Sequence, residues 1–374
     1  MNERPLAGLL VLDASRMLPG AVLARCLLDL GARVIKIEAP GTGDPMRLVP
    51  PLADGIGAGF AEHYRGAESI VLDLRRETDA GHLRTLARRA DVFVESFRPG
   101  TLERWGLAPA ALHDDNPRLC TVRLPAAPAA TDDPLAEVGH DLNVTARSGL
   151  LARLGTEGVP RVLLADVATG LLAAQALLAA LLLRARTGCG TTLEQPIAAG
   201  PLPFLWWPWA DLAHGATRGA TDTLLAGEVA AYRVYRCADG LRLSVACLEP
   251  KFWIAFCDAV ERKDLIPGGL EPGPRGRACS EAMQAHLATR PRAHWMGRLA
   301  GRALPVAPVH ETVEATAADP LYATTALSVP GPGATRLPGP ALPGLGVRPE
   351  ARAPALGAHT ARIFREFGCT TTGP

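Results

Sequence analysis

LLVLDASRMLPGAVLARCLLDLGARVIKIE, residues 9–38, is the stretch that decides the fold. Residues 9–13 predict a short buried strand, and residues 17–20 predict the turn that leads into a helix over residues 21–30. Residues 32–38 carry the β-branched run of a second strand. A strand, a helix and a strand of these lengths form a right-handed βαβ unit with parallel pairing. The chain is therefore predicted to begin with an α/β domain.

The α/β alternation continues beyond this unit. Strands are predicted over residues 69–74, 91–95 and 119–124, with an amphipathic helix over residues 77–90. The first turn reads SRMLPGAV and lacks the G-x-G-x-x-G pattern that holds a dinucleotide phosphate, which argues against NAD binding. A long apolar helix over residues 168–186 is predicted to be the central helix of the domain.

The amino-acid composition of the chain changes after residue 200. Residues 201–227 combine a tryptophan- and proline-rich stretch with an exposed connection, and they are predicted to be a linker. Residues 228–310 contain a predicted hairpin and helix, which fits a small α+β domain. The expected architecture is a Rossmann-like large domain formed by residues 1–200 and completed by a return segment, residues 311–374. That segment, rich in Gly and Pro from residue 328 onward, is expected to run over the surface before a last helix.

Composition limits the possible functions. The chain has 374 residues with 39 Lys+Arg against 38 Asp+Glu, a net charge of +1, so it lacks the basic surface that nucleic acid binding needs. The eight cysteines form no CxxC pair and no cluster with His, so we expect reduced cysteines and no metal site. No secretory signal is visible and residues 171–183 are too short to span a membrane, so a cytoplasmic protein without membrane partners is expected.

Two residues on separate predicted loops have side chains suited to proton transfer. His140 lies in GHDLNV, and a histidine changes charge near neutral pH, although a loop histidine is more often structural. Asp166 follows a predicted strand over residues 162–165 and precedes the central helix. An aspartate at that position can act as a base, act as a nucleophile, or only cap the helix. We predict that His140 and Asp166 meet across one cavity.

Other residues could assist this pair. Glu249 follows a predicted strand and precedes Pro250, where it could orient His140 if it faced the same cleft. Phe97 and Arg104 are expected near the carboxyl edge of the sheet, where α/β folds bind ligands, although a solvated Arg104 is equally compatible with the residues alone. Asp44 and Arg47 lie in a glycine- and proline-rich loop that reads by itself as a surface turn. Ser15, Cys247 and His310 are further candidates, but no spacing joins them into a triad.

Taken together, the motifs resemble those of family III CoA-transferases, in order and over nearly the whole chain. The matching stretches are LAGLLVLDASR, LLDLGARVIKIEAPGTGDPMR, VFVESFRPGTLERWGL, GHDLNV, ADVATGL and VPGPGATRLPGPALPGLG. Within that family, GHDLNV and CLEPKFW are most similar to the α-methylacyl-CoA racemases. The resemblance implies a large and a small domain, two chains interlocked as a homodimer, and no cofactor besides the CoA that belongs to the substrate.

The resemblance also implies roles for single residues. His140 and Asp166 would exchange the α-proton of a 2-methylacyl-CoA on opposite faces through an enolate, with Glu249 supporting His140. The amides around Asp166 and Val167 could stabilise the enolate oxygen. In the transferases the matching aspartate forms acyl anhydrides, and a glycine-rich loop occupies the position of residues 247–250. The absence of that loop from this sequence favours a racemase.

This sequence departs from the family pattern at three positions that are usually basic, which here are Ala39, Ala67 and Glu68. Either other arginines hold the CoA phosphates, or the acyl group arrives on a carrier protein or pantetheine thioester. The candidate arginines are Arg16, Arg47, Arg65 and Arg104. Three functions stay open: an acyl-thioester racemase or epimerase, a CoA-transferase that uses Asp166 as nucleophile, and a thioester-binding relative without turnover.

Overall fold

The computed structural model describes residues 4–128, 133–134, 138–155, 158–216, 218–323, 326–329, 335–338 and 352–369. The chain divides into two compact units, one of Met1–Phe204 with Thr325–Pro374 and the other of Leu205–Thr324. The expected linker over residues 201–227 is wrong in its first half, because Leu202–Ala213 is a helix. The second unit ends at Thr324 rather than at residue 310, since it also contains the helices Val313–Ala318 and Pro320–Ala323.

A six-stranded parallel sheet forms the centre of the first unit. Its strands are β1 (Leu10–Asp13), β2 (Arg33–Glu38), β5 (Glu68–Val71), β6 (Val92–Glu95), β7 (Cys120–Arg123) and β8 (Thr192–Glu194). They lie in the order β5-β2-β1-β6-β7-β8. Successive strands are therefore added on one side of β1 as far as β5 and on its other side from β6 onward, which makes the position between β1 and β6 the topological switch point. The predicted α/β class with a parallel sheet is confirmed. In such sheets ligands bind at the carboxyl ends of the strands beside this switch point.

The remaining elements of the first unit surround this sheet. Its α-helices are Leu18–Asp29, Ala58–His63, Glu77–Ala87, Thr101–Arg104, Pro109–Asp115, Asp141–Arg147, Leu150–Arg153, Leu164–Thr187 and Thr360–Phe367. The 3-10 helices are Pro45–Leu48 and Ile197–Ala199, and the short strands β3 (Leu52–Ala53) and β4 (Ile56–Gly57) form a hairpin. Two apolar clusters cover the opposite faces of the sheet, one around Leu23 and Val94 and the other around Leu12 and Phe93.

The helix Leu18–Asp29 begins three residues earlier than the sequence predicts, inside the expected turn. Pro19 in its first turn explains this, because a proline there loses no helical hydrogen bond. The central helix Leu164–Thr187 packs against it through Gly170. A Cβ on Gly170 would lie 2.6 Å from the carbonyl oxygen of Pro19 and 2.6 Å from Val22 Cβ. The glycine therefore permits the close helix contact that places the first turn of the central helix.

The central helix has 24 residues and is the one helix in the described part of the chain that is long and apolar enough to cross a membrane. By length and composition alone this is weak evidence, because the core helix of a globular enzyme passes the same test. Of its most apolar window 44% is buried, and the contacts of this helix with Leu18–Asp29 are extensive. Leu171, Leu182 and Leu183 on its other side are exposed.

The second unit contains a three-stranded antiparallel sheet and its own helices. Its strands β9 (Tyr232–Arg236), β10 (Arg242–Ala246) and β11 (Val306–Pro308) lie in the order β11-β10-β9. The unit also contains the helices Pro250–Ala259, Pro274–Leu287, Arg292–Leu299, Val313–Ala318 and Pro320–Ala323 and the 3-10 helices Ala220–Asp222 and Lys263–Gly268. The helix Leu202–Ala213 belongs to it from Leu205 onward. Trp253, Phe256 and Tyr235 are fully buried in its core.

The return segment also contains regular structure that the sequence did not predict. The strands β12 (Ala326–Val329) and β13 (Thr335–Pro338) pair antiparallel, with Leu327 opposite Leu337. The expectation of irregular structure from residue 328 onward is therefore wrong at residues 328–329 and 335–338, because backbone pairing satisfies the hydrogen bonds of this stretch as well as solvent does. The last helix, Thr360–Phe367, lies where it was predicted.

Candidate active site

Two cavities lie at the carboxyl edge of the parallel sheet. The larger, about 560 Å³, is lined by the segments that follow β1, β2, β5 and β6. The smaller, about 270 Å³, is lined by the segments that follow β1, β6 and β7 and by the residues around His140. Arg16, Ser96, Phe97 and Arg98 line both cavities. The two spaces therefore adjoin, and they share the wall formed at the switch point between β1 and β6.

His140 and Asp166 both line the smaller cavity. His140 is exposed and lies at the N-cap of the helix Asp141–Arg147, so the predicted loop is the beginning of a helix. Asp166 is partly buried in the first turn of the central helix. The structure thus brings an imidazole and a carboxylate to one small space from positions 26 residues apart in the chain. Both residue types can exchange a proton with a ligand in this space.

The surroundings of Asp166 differ from those predicted. The central helix begins at Leu164, so Asp166 is not the N-cap residue, and residues 162–165 do not form a strand. The exposed side chains of Val162 and Leu163 explain this, because an apolar run that faces solvent forms no buried strand. The amide of Asp166 donates to Asp141 Oδ1 at 3.1 Å, and the amide of Val167 donates to the Leu163 carbonyl. These two amides are therefore engaged and do not stabilise an enolate oxygen as expected.

Burial and a neighbouring charge change the acidity of Asp166. Burial, and to a smaller extent the nearby Asp141 carboxylate, together raise the pKa of its carboxyl from the usual 3.8 to about 6. Asp141 is itself buried, directly after His140 in the sequence. A carboxyl with a pKa near 6 can both lose and gain a proton close to neutral pH, which suits a general acid/base. Sequence reasoning missed Asp141, although its place in the GHD triplet was a usable signal.

Arg16 and Phe97 lie where a ligand could contact them. The guanidinium carbon of Arg16 lies 5.7 Å from the centre of the Phe97 ring, and the Arg16 amide donates to Ser96 Oγ at 2.8 Å. Glu95 holds the same wall from below, because its buried carboxylate accepts the Phe97 amide at 2.7 Å. Arg98, which the sequence reasoning did not single out, is exposed and lines both cavities. Arg16 and Arg98 make the shared wall positive.

Arg47 does not occupy the predicted ligand position. It is buried and lines neither cavity, and its guanidinium makes two hydrogen bonds of 2.7 Å with Glu38. It also lies 3.9 Å from the centre of the Phe60 ring and donates to the Pro354 carbonyl. Its guanidinium is therefore fully engaged in contacts that hold the loop between β2 and the 3-10 helix Pro45–Leu48. The prediction that Arg47 contacts the CoA moiety is wrong for this arrangement.

The other predicted arginines also differ in placement. Arg104 is exposed, donates to Thr101 Oγ1 at 3.1 Å and lines neither cavity, although Thr101 and Trp105 on either side of it line the larger one. Arg65 is buried and pairs with Glu62. Among the arginines named from the sequence, only Arg16 lines the cavities.

Glu249 belongs to the second unit, where it is exposed at the N-cap of the helix Pro250–Ala259. Its support of His140 stays a prediction. The imidazole Nε2 of His310 lies 2.7 Å from Asp319 Oδ2, which accepts the hydrogen bond, and His310 lines neither cavity. Cys247 is a buried free thiol whose burial raises its pKa to about 12, which makes it a poor nucleophile.

No cluster of three or more His, Cys, Asp or Glu side chains suited to a metal ion occurs among the residues that the structure describes. The cysteines are free thiols, and Cys120, Cys237, Cys257 and Cys279 are buried as packing residues.

Comparison with known proteins gives consistent matches over the whole chain. A sequence profile described as CoA-transferase family III matches residues 6–360. The chain is 32% identical to the α-methylacyl-CoA racemase of Homo sapiens, covering 97% of this chain and 93% of that protein. It is also 32% identical to the acetyl-CoA:oxalate CoA-transferase of Acetobacter aceti, covering 83% of this chain and 82% of that protein. The crystal structure of a CAIB/BAIF family protein from Brucella suis is similar with a TM-score of 0.81 at 27% identity, covering 98% and 100% of the two chains.

Proposed function

The chain belongs to CoA-transferase family III, and from this membership we propose that it is an isomerase of the α-methylacyl-CoA racemase type. Its reaction inverts the α-carbon of a 2-methyl-branched acyl thioester. The observation that carries the proposal is the placement of His140 and Asp166 on one cavity of about 270 Å³. The 32% identity to a racemase over nearly the full length of both chains supports it.

The proposed mechanism uses the two side chains as a proton-transfer pair. One of them removes the α-proton, which leaves the electron pair delocalised onto the thioester oxygen as an enolate. The conjugate acid of the other then returns a proton to the opposite face, so the configuration inverts and no atom is gained or lost. A pKa of about 6 lets Asp166 take either role near neutral pH. The positive charge of Arg16 and Arg98 on the same cavity favours the anionic enolate.

The CoA part of the substrate is proposed to occupy the larger cavity. Its position at the switch point, the Phe97 ring and the Arg16 guanidinium all suit the nucleotide of CoA. The positions that are usually basic offer no positive charge here: Ala39 lines the cavity, Ala67 is buried, and Glu68 pairs with Arg33 at 2.6 Å. An epimerase that acts on a pantetheine or carrier-protein thioester is therefore the alternative for the same chemistry.

The test is incubation of the protein with a 2-methylacyl-CoA in D₂O without any acceptor acid. A racemase incorporates α-deuterium and converts one epimer into a mixture, and Asp166→Asn and His140→Gln abolish inversion. His294→Gln, at an exposed histidine of the second unit, is the matched control and retains full activity. If the wild-type protein incorporates no α-deuterium into either the CoA thioester or the pantetheine thioester, the racemase proposal is refuted.

A second candidate is a CoA-transferase in which the Asp166 carboxylate attacks the thioester carbonyl, the C–S bond breaks, and CoA leaves as its thiolate, so that a mixed acyl anhydride forms on Asp166. Its support is the 32% identity to an acetyl-CoA:oxalate CoA-transferase. Addition of acceptor acids distinguishes the two reactions, because a transferase moves CoA to the acid. In such a transferase, hydroxylamine that attacks the Asp166 carbonyl of the anhydride leaves a β-aspartyl hydroxamate on the enzyme and releases the acyl group as the free acid. The third possibility, a relative that binds thioesters without turnover, would leave both the isotope and the acyl group unchanged while binding CoA.

The quaternary state and location are proposed with the function. Apolar side chains are exposed on the helix Leu202–Ala213, where Trp206 is 67% and Leu212 72% exposed, and on the central helix, where Leu182 is 70% exposed. Exposed apolar surface of this kind marks a protein interface. We assign these residues to the interlocked homodimer that the family membership suggests, with Glu249 supporting His140, and we place the protein in the cytoplasm without nucleic acid or membrane partners.

A further inference from the structure

A completely buried lysine contacts residues of the candidate site but lines neither cavity. Lys36 lies in β2 with no exposed surface, directly opposite Asp13 of β1. Its ammonium group donates to the Ser15 carbonyl at 2.5 Å and lies 3.1 Å from Asp44 Oδ2 and 3.5 Å from Asp13 Oδ2. A buried ammonium is tolerated only when it is paired and hydrogen-bonded in this way, so the group has a defined structural task.

The partners of Lys36 form one closed cluster. Tyr64 is fully buried, donates from its hydroxyl to Asp13 Oδ2 at 2.8 Å, and presents its ring face 4.6 Å from the Lys36 ammonium. Asp13 Oδ1 accepts both the Ser15 amide at 2.9 Å and the Ser15 hydroxyl at 2.5 Å. Two carboxylates therefore depend on a single cation, and both of them bond to the turn that follows β1.

That turn forms part of the wall of both cavities. Ser15 lines the larger cavity, Met17 lines the smaller one, and Arg16 lines both. Met17 has φ of +64°, a left-handed conformation that costs a non-glycine residue free energy, and its amide points to Asp44 Oδ1 at 3.4 Å. Such a conformation persists only where the surroundings hold it from several sides. Asp44, and through it Lys36, is one of those supports.

We propose that Lys36 is a positioning residue of the active site, which acts by holding the turn Ser15–Arg16–Met17 so that Arg16 stays in the shared wall of the two cavities. The ammonium fixes the Ser15 carbonyl directly and Met17 through Asp44. The inference rests on the proposed function only in the identity of the ligand, since the contacts of Lys36 exist in the protein alone. Lys36 touches neither His140 nor Asp166, so its loss affects substrate binding more than the proton transfer.

The first experiment measures hydrogen exchange of backbone amides in Lys36→Met, which keeps the length of the side chain and removes the charge. The amides of residues 15–17 are expected to exchange at least tenfold faster, because Asp13 and Asp44 are left without a counter-charge. The amides of β10 in the second unit are the internal control, and Lys263→Met, at a lysine paired with Asp258 on the surface, is the matched variant. Unchanged exchange at residues 15–17 would overturn the proposal.

A second variant keeps the proposal testable if Lys36→Met does not fold. Asp44→Asn retains an oxygen for the amides of Met46 and Met17 and loses only the ion pair with Lys36. Exchange of the Met17 amide is then expected to rise at least threefold while the rest of the protein is protected as in the wild type. Wild-type protection of Met17 in a folded Asp44→Asn protein would count against the proposed linkage.

The functional measurement separates positioning from general stability. With a 2-methylacyl-CoA, Lys36→Met is expected to raise KM about tenfold or more and to change kcat less than threefold, since a small displacement of a binding group is costly. A purely structural lysine would lower the amount of folded enzyme and leave KM unchanged, and that result refutes the proposal. A wild-type protein without turnover of any thioester refutes the proposed function instead, and the exchange experiment still decides whether Lys36 holds the turn.

Discussion

Replacement of Asp141 by Asn should shift the pH dependence of the enzyme to lower pH. Asp141 Oδ1 accepts the Asp166 amide at 3.1 Å, and an Asn oxygen can accept the same hydrogen bond. The substitution therefore preserves the geometry and removes one negative charge beside the Asp166 carboxyl. A carboxyl beside a second carboxylate resists ionisation, so removal of that neighbour favours the charged form and lowers the pKa of Asp166.

The size of the shift follows from the two causes that act on Asp166. Together they raise its pKa from 3.8 to about 6, with burial the larger of the two and the Asp141 charge the smaller. Because Asp141 contributes less than half, its removal should lower the pKa by at most about one unit, or about 1.4 kcal/mol. The pKa of Asp166 in Asp141→Asn therefore stays above 3.8, since the buried position is unchanged.

The assay is the pH profile of kcat/KM for α-deuterium incorporation, which reports the ionisations of the free enzyme. If ionised Asp166 is the base, activity falls as the pH drops through its pKa, and Asp141→Asn retains activity to lower pH. Carbon-13 NMR titration of the Asp166 carboxyl checks the same shift without turnover. Asp264→Asn, at an exposed aspartate paired with Arg262, is the control. An unchanged profile, or a shift to higher pH, would refute the electrostatic coupling.

Three further predictions concern single side chains. Asp166→Asn should abolish racemisation and raise thermal stability at pH 8, because ionising a carboxyl whose pKa is about 6 rather than 3.8 costs the folded state up to about 3 kcal/mol. The gain in stability should vanish as the pH falls from 6 toward 3.8. Equal melting temperatures of variant and wild type at pH 8 would contradict the prediction. Arg47→Met should lower the free energy of unfolding by about 3–5 kcal/mol in a denaturant titration, because Glu38 is left buried without its ion-pair partner. A variant that loses affinity for CoA but keeps the wild-type stability would restore the ligand role of Arg47. Glu249→Gln should lower kcat about 10- to 100-fold if Glu249 supports His140, and unchanged kinetics would remove it from the site.

The sequence predicted the frame of the site better than its electrostatics. The parallel sheet, the long helix before Gly188 and the candidate pair His140 and Asp166 follow from patterns that are local in the chain. The roles of single charged side chains were less accessible. Arg47 has the residue type of a phosphate ligand, yet the carboxylate of Glu38 occupies its guanidinium, and only the folded loop brings the two together.

The boundaries of elements near the site were displaced for a similar reason. Asp166 has the residue type of an N-cap, but the helix begins at Leu164 with Leu163 as its N-cap, while the close contact at Gly170 holds the central helix against Leu18–Asp29. The N-cap therefore lies three residues before Asp166, and the Asp166 amide, inside the first turn, donates to Asp141 and is removed as a donor to the enolate. Capping preferences are weaker than such packing contacts, so they locate the end of a helix only approximately.

By itself the sequence determined the α/β alternation, the family and the two residue types that can exchange a proton. Hydrophobic periodicity and turn residues are properties of neighbouring positions, so they can be read without the fold. Only the tertiary structure decided that Asp141 acts on the pKa of Asp166 and that Lys36 pairs with Asp13 and Asp44. Electrostatic free energies depend on distance and burial in space, and these are settled when strands and loops far apart in the chain pack together.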